Sequence, residues 1–361
     1  MKKKNLKGLN LVELQQFIEE LGEKKYRAAQ LYSWLYSKSA QSFDEMTDIS
    51  KDFRTLLSQI ACIANLAGAT QKVSEDGTVK YLFRLQDGLA IESVLIPSQR
   101  KTPEGEDRLT LCVSTQVGCP LACAFCATGS MGFTRNLTTG EIVDQVLQVQ
   151  RNIQKRITNL VYMGMGEPML NYDNVMTSVD LINDDRGLNI GARHITVSTA
   201  GYADKIRQLA DEDRHVKLAL SLHSLNNEKR TRLMPITKKY SVEELLEALE
   251  YYFHKTRRRP TFEYILFEGF NDTADDLKLF VRLSKRIPCK VNLIPFHSIA
   301  FMHPSGIGAS LKPASAERIE AFAQGLRKAG MTAMVRGSSG QDIQAACGQL
   351  AVAESKLGKN I

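Results

Sequence analysis

No run of apolar residues in the 361-residue chain is long enough to cross a membrane, and its first residues, Met1-Lys2-Lys3-Lys4-Asn5, hold no apolar leader core. A secreted or membrane-embedded protein is therefore not expected, and the cytoplasm is the expected compartment. Internal repeats are also missing, which argues against architectures built from copies of one unit. Cysteine is not scarce. There are seven, and without a secretion signal they point to metal or catalytic use before structural disulfides. Three of them lack a fourth partner. Cys119, Cys123 and Cys126 have the spacing C-x3-C-x2-C in Gly118-Cys119-Pro120-Leu121-Ala122-Cys123-Ala124-Phe125-Cys126, and no further cysteine or close histidine completes the set.

That missing ligand is informative. Structural zinc is almost always closed by four ligands, so a zinc knot here would need one from far away. A 4Fe–4S cluster on three thiolates keeps one iron open, and an open iron can bind a substrate. The iron–sulfur reading is favoured, with zinc as its alternative. A disulfide would leave one thiol over.

A composition of 43% hydrophobic and 24% charged residues is ordinary for a globular protein, and the length allows one large domain plus an accessory one. The net charge of +7 suits an anionic partner. Lys24-Lys25, Lys229-Arg230-Thr231-Arg232, Lys238-Lys239 and Arg257-Arg258-Arg259 could neutralise phosphates, although any one cluster also reads as a solvated face. Arg230 and Arg232 suit a phosphate or a carboxylate ligand, and suit plain surface charge equally well.

Leu11, Leu14, Phe17, Ile18 and Leu21 recur at helical spacing, Tyr26–Tyr36 continues the pattern, Asp44–Ile60 reads as a further helix, and Cys62 reads as part of an apolar helical run. Two strand-like runs, 80–85 and 90–96, flank the turn signal Gln86-Asp87-Gly88, and 99–108 reads as a surface loop. From Leu109 onward six apolar strand-like runs alternate with helices, with a further strand expected at 332–336. Such alternation implies a parallel sheet covered by helices, with chemistry at the C-terminal strand ends. The cysteine loop follows the first of these strands, and Met163-Gly164-Met165-Gly166-Glu167-Pro168 follows the second. The expected fold is α/β, a partial (β/α)6 barrel over 105–342. A helical accessory domain over 1–62 precedes it, then a β-hairpin extension over 63–104, and a C-terminal segment over 343–361 follows.

C-x3-C-x2-C after one strand and G-x-G-E-P after the next resemble the radical S-adenosylmethionine (SAM) enzymes. Leu111-Cys112-Val113-Ser114-Thr115-Gln116-Val117-Gly118-Cys119, Asn292-Leu293-Ile294-Pro295, Asp342-Ile343-Gln344-Ala345-Ala346-Cys347-Gly348-Gln349-Leu350 and Arg27-Ala28-Ala29-Gln30-Leu31-Tyr32-Ser33-Trp34-Leu35 narrow the resemblance to the RlmN/Cfr family of RNA adenine methyltransferases. The resemblance implies that Cys119, Cys123 and Cys126 ligate one 4Fe–4S cluster. Gly166, Glu167, Ser198, Ser221, Leu222 and His223 would contact SAM. A family position often occupied by Asn is here His297. Cys347 would carry the methyl group, Cys112 would pair with it, and Glu92 would accept a proton.

The same resemblance implies C2 methylation of an adenosine in the peptidyl-transferase region of 23S rRNA and of the adenosine just 3′ of the anticodon in tRNA, with Cfr-type C8 methylation as the alternative. Carbon 2 of adenine is electron-poor and cannot attack a sulfonium, whereas a thiolate can. Two SAM per turnover, an S-methyl group on Cys347 and a closing Cys112–Cys347 disulfide follow from the resemblance. So do an electron donor such as flavodoxin, a disulfide reductant and a monomeric state. The bland readings are buried small hydrophobes for Cys112 and Cys347, a surface carboxylate for Glu92 and a satisfied polar residue for His223. The remaining class is a zinc-stabilised RNA-binding module without catalysis.

Overall fold

The computed structural model describes residues 3–101, 105 and 107–352. Its chain opens with β1 (Lys4–Asn5) and α1 (Leu11–Glu20). Asn10 and Glu13 cap α1 reciprocally, each side chain accepting the other's backbone N–H, and Leu14, Phe17 and Ile18 form its buried face. α2 (Tyr26–Tyr32) continues into a wider π turn at Ser33–Ser37. The last helix of this part is α3 (Lys51–Ile60), shorter than expected. Thr47-Asp48-Ile49-Ser50 favours turns and caps over helix, so Phe43–Glu45 forms only an isolated 3-10 turn. Cys62 lies in β2 (Ala61–Cys62), paired in parallel with β1, and not in a helix.

β3 (Ala67–Val73), β4 (Val79–Arg84), β5 (Ala90–Lys101) and β6 (Asp107–Cys112) form an antiparallel meander. β4 and β5 are the expected hairpin. β5 runs on into the segment read as a loop and pairs Lys101 with Asp107, because the ladder to β6 satisfies backbone groups that local composition would leave to solvent. Residues 102–104 and 106 of that segment lie outside the described residues. A short ribbon of β7 (Gln116–Gly118) and β8 (Phe133–Asn136) brackets the cysteine loop and its one-turn helix α4 (Ala127–Ser130).

Alternation then sets in with α5 (Thr139–Ile153), β9 (Asn159–Tyr162), α6 (Tyr172–Asn183), β10 (Ile195–Thr199), α7 (Ala203–Asp211) and β11 (Lys217–Ser221). It continues with α8 (Asn227–Leu233), α9 (Val242–Thr256), β12 (Thr261–Leu266), α10 (Ala274–Ser284), β13 (Lys290–Pro295), α11 (Ala316–Lys328) and β14 (Thr332–Val335). All ten strands from β3 to β6 and β9 to β14 make one sheet, in the order β14-β13-β12-β11-β10-β9-β6-β5-β4-β3. β6 and the six strands after it in that sheet are parallel, the six expected plus the seventh at β14, and the sheet has two free ends. Leu111, Leu160, Val197, Leu220, Phe262 and Leu293 point to the helix-covered side and are fully buried, each contributing about 1.5–3 kcal/mol of hydrophobic stabilisation.

The N-terminal helices are fastened to this core. The ammonium of Lys7 lies 2.5 Å from a carboxylate oxygen of Asp144 on α5, with both side chains almost wholly buried, and the other Asp144 oxygen accepts the Leu66 N–H. Breaking such a pair strands a buried charge. No helix among the described residues is long and apolar enough to cross a membrane.

Candidate active site

Strand register decides which side chains share a face. Lys80 pairs with Val94, Val94 with Cys112, and Cys112 with Val161. Val161 pairs with Thr196, Ser198 with Ala219, Ser221 with Glu263, and Glu263 with Asn292. Paired residues, and residues two apart on one strand, point the same way. Lys80, Glu92, Cys112, Ser198, Ser221, Glu263 and Asn292 therefore all lie on the face opposite the helix-covered apolar side. Several residues singled out from sequence, lying as far apart as Glu92 and Ser221, meet on one surface.

The cysteine loop closes over one end of this face. Its base is pinched where Cys119 N–H donates to Gly132 O at 2.7 Å. Gly118 has φ +73°, and a Cβ there would lie 1.9 Å from that same oxygen, so only glycine fits. Burial, then the Cys126 thiol and the Glu167 carboxyl, push Cys119 up to about 12. Burial and the other two thiols push Cys123 up, and burial does the same to Cys126. Three crowded acidic groups with one buried cation, Arg230, near Cys123 suit a cationic occupant. Among the described residues no three Cys, His, Asp or Glu side chains converge as ligands of a single ion do. Cys119, Cys123 and Cys126 would hold an iron–sulfur cluster through three thiolates. The donor set fits a 4Fe–4S cluster with one open iron and does not fit a closed zinc knot.

Gly166 has φ +101°, and a Cβ there would meet Gln116 at 2.5 Å. The next residue, Glu167, is buried. Its two carboxylate oxygens accept the N–H groups of Met169 at 3.0 Å and Ala200 at 2.8 Å. Burial raises its pKa to about 7, against the pull of these bonds. Ser198 and Ser221 stand on the inner face. Leu222 N–H and His223 N–H both donate to Glu263 O. His223 is a buried neutral imidazole: burial, then Arg230, lower it to about 3, and its Nδ1 accepts the Ile265 N–H at 3.0 Å. Half-buried His297 lies beyond the end of β13, its Nε2 2.8 Å from Ser338 Oγ.

Arg230 corrects the sequence reading. It is neither a surface charge nor free for phosphate, being fully buried. Its guanidinium donates to the carbonyls of Ala200, Ser221 and Leu222 and to Thr237 Oγ1, tying the ends of β10 and β11 together. Arg232 is exposed and stacks on Phe270.

Cys347 comes from the C-terminal segment, which is sewn into the site from two sides. Ala127 N–H donates to Gly348 O at 2.7 Å and Thr128 Oγ1 to Leu350 O at 2.6 Å, joining it to the cysteine loop. Ala351 N–H donates to Glu92 Oε2 at 3.0 Å, and Lys80 Nζ to Gln344 O at 3.2 Å, joining it to the meander. Cys347 reaches solvent but is crowded by protein, which raises its pKa, and Glu263 adds to this. Cys112 is buried, and its thiol is pushed up by burial and then by Cys347. Both are free thiols.

Glu92 is buried, and this raises its carboxyl above the usual range. Lys80, 3.1 Å from Oε1, opposes the rise most strongly, followed by the Ala351 N–H and Lys72. Lys80 escaped the sequence reading, although a lone lysine inside Val79-Lys80-Tyr81-Leu82-Phe83 was a readable signal. Glu263, a single charge inside Thr261-Phe262-Glu263-Tyr264-Ile265-Leu266, was another. If Glu92 works as a base, it must be ionised, so activity falls as pH drops through its pKa. Lys80→Met removes the main opposing charge and is expected to move this acid limb up by about one pH unit or more, with Lys80→Arg close to the parent. An acid limb of kcat/KM that stays in place in Lys80→Met would count against the pairing.

Two family models match the chain: the ribosomal RNA large subunit methyltransferase N-terminal domain over residues 4–63, and the radical SAM superfamily over residues 113–281. The chain is 47% identical over 348 residues to a probable dual-specificity RNA methyltransferase RlmN of Thermotoga sp. (strain RQ2), covering 96% of this chain and 97% of that protein. It is 43% identical over 358 residues to the protein of the same description from Staphylococcus aureus (strain JH9), covering 98% and 94%. The crystal structure of a radical SAM methyltransferase from Sphaerobacter thermophilus superimposes with a TM-score of 0.87 at 42% identity, over 96% of this chain and 99% of that one. With a radical SAM core, an RlmN-type N-terminal region and near-complete coverage of such relatives, the chain belongs to the RlmN family of radical SAM RNA methyltransferases.

Proposed function

We propose that this enzyme methylates carbon 2 of two adenosines, one in the peptidyl-transferase region of 23S rRNA and one just 3′ of the tRNA anticodon, with Cys347 carrying the one-carbon unit. The observation that carries this reading is the joining of three distant segments. The Cys347 segment is hydrogen-bonded both to the cysteine loop and to Glu92, and Cys112 lies on the same inner face as Glu92. Cys119, Cys123 and Cys126 would hold the cluster. Gly166, Glu167, Ser198, Ser221, Leu222, His223 and His297 would receive SAM. When bound, the cluster and SAM supply one-electron chemistry able to remove hydrogen from a methyl group.

The chain's own residues do the rest. Cys347, as thiolate, displaces the methyl group from the sulfonium of SAM. Once that group has lost hydrogen, its carbon bonds to C2 and links protein to RNA. Glu92 takes the C2 proton, and the unpaired electron left on the adduct would pass to the one-electron centre that the cluster supplies. Cys112 then attacks the Cys347 sulfur, the sulfur–carbon bond breaks, the released carbon gains a proton, and a Cys112–Cys347 disulfide remains for an external reductant. The N-terminal helices, residues 1–62, and the net positive charge serve RNA contact, on a base presented unpaired or extruded. A flavodoxin-type electron donor, monomeric working form and cytoplasmic setting belong to this reading.

Anaerobic turnover with trideuteromethyl SAM and RNA tests it. The product is expected to be 2-methyladenosine whose methyl group holds two deuteriums and one hydrogen. Transfer of an intact trideuteromethyl group would rule out the thioether route, and 8-methyladenosine would assign the other ring position.

A further inference from the structure

Glu263 and Asn292 face each other across β12 and β13, in register with Ser221, and neither has been given a task. Both are more than nine-tenths buried. Asn292 Nδ2 donates to Glu263 Oε1 at 2.8 Å. This bond fixes the amide, since a flip would set its oxygen against a carboxylate oxygen. Asn292 Oδ1 is thereby turned away, and it is buried without a hydrogen-bond partner. Glu263 Oε2 has no hydrogen-bond partner among the described residues. An unmet buried acceptor is costly and calls for an explanation.

The pair offers two unmet acceptors, Glu263 Oε2 and Asn292 Oδ1, against one remaining Nδ2 hydrogen of Asn292. An exocyclic amine is the complementary group, with one N–H for each. Adenine carries such an amine on C6, and C6 and C2 both flank N1. A base with a 6-oxo group would set a third acceptor against these two. The location agrees: Glu263 is close enough to Cys347 to affect its thiol, and its backbone oxygen holds Leu222 and His223. Burial raises the Glu263 carboxyl, and the Asn292 bond and then Arg336 oppose the rise.

We propose that Glu263 and Asn292 recognise the 6-amino group of the target adenine and so select adenine over 6-oxo purines. This rests on the adenine-C2 reading above. The test uses reconstituted enzyme and an anticodon stem-loop RNA with adenosine, inosine or purine riboside at the target position. Inosine and purine riboside keep the C2–H but lack the amine. The parent enzyme is expected to prefer adenosine by at least about 100-fold in kcat/KM and to bind that RNA more tightly. Glu263→Gln and Asn292→Ala should each cut the preference below about tenfold and leave SAM affinity, measured by equilibrium dialysis, unchanged. Asn292→Ser gives a second check if either variant folds poorly.

Three results would overturn the proposal: no preference in the parent enzyme, an unchanged preference in the variants, or weakened SAM binding with the preference intact. The last would assign the pair to SAM. If the parent methylates none of these RNAs, the functional reading fails by itself, and the affinity comparison still decides this proposal.

Discussion

Cys347→Ala is expected to lower RNA methylation by at least about a thousandfold while the protein keeps its iron and its stability. The chemical loss follows from the covalent route, in which no other group can carry the one-carbon unit. Cys112 cannot stand in, because it is buried and its thiol is held well above its ordinary pKa. The retained stability follows from position. Cys347 is solvent-exposed, and the bonds that seat its segment come from the backbone of Gln344, Gly348, Leu350 and Ala351. A surface change of this kind stays within about 0.5 kcal/mol. Mass analysis of digested RNA, iron content and urea unfolding decide the three points. Methylation above about one per cent of the parent rate would remove Cys347 from the chemistry.

Cys112→Ala should fail later, after the carbon bond to RNA has formed. Without a thiol to attack Cys347, the covalent protein–RNA species persists, and it should run as an RNase-sensitive band of higher mass on a denaturing gel, with turnover close to nil. The electrostatics suit this order of events. The Cys347 thiol is one cause of the raised Cys112 pKa. Once Cys347 is alkylated it has no thiolate, so that contribution disappears and Cys112 ionises more readily at the step that needs it. Normal turnover by Cys112→Ala, or absence of the adduct, would assign resolution to another group.

Much of the architecture was legible because apolar parallel strands separated by amphipathic helices write a distinct pattern. Lys290–Pro295 and Ala316–Lys328 are one such strand and one such helix. The cysteine triplet was legible because its spacing is local. What could not be read depended on register or on neighbours distant in sequence. Arg230 sits in a basic run that looks like surface, yet helical spacing turns it inward while Arg232 faces out. The continuation of β5 required its partner β6, and Lys80 gains meaning only once β4 is aligned with β5. The pairing of Glu263 with Asn292 likewise needs two strands set side by side, which no single stretch of sequence reveals.

The Lys7–Asp144 pair also sets a schedule for synthesis. The ammonium leaves the ribosome 137 residues ahead of its carboxylate. At translation speeds of 5–20 residues per second the front of the chain waits roughly 7–27 s for the group that neutralises it. During that interval the first helices must remain hydrated or be shielded by a chaperone, and a product terminated before α5 would be left with an ammonium it could not bury.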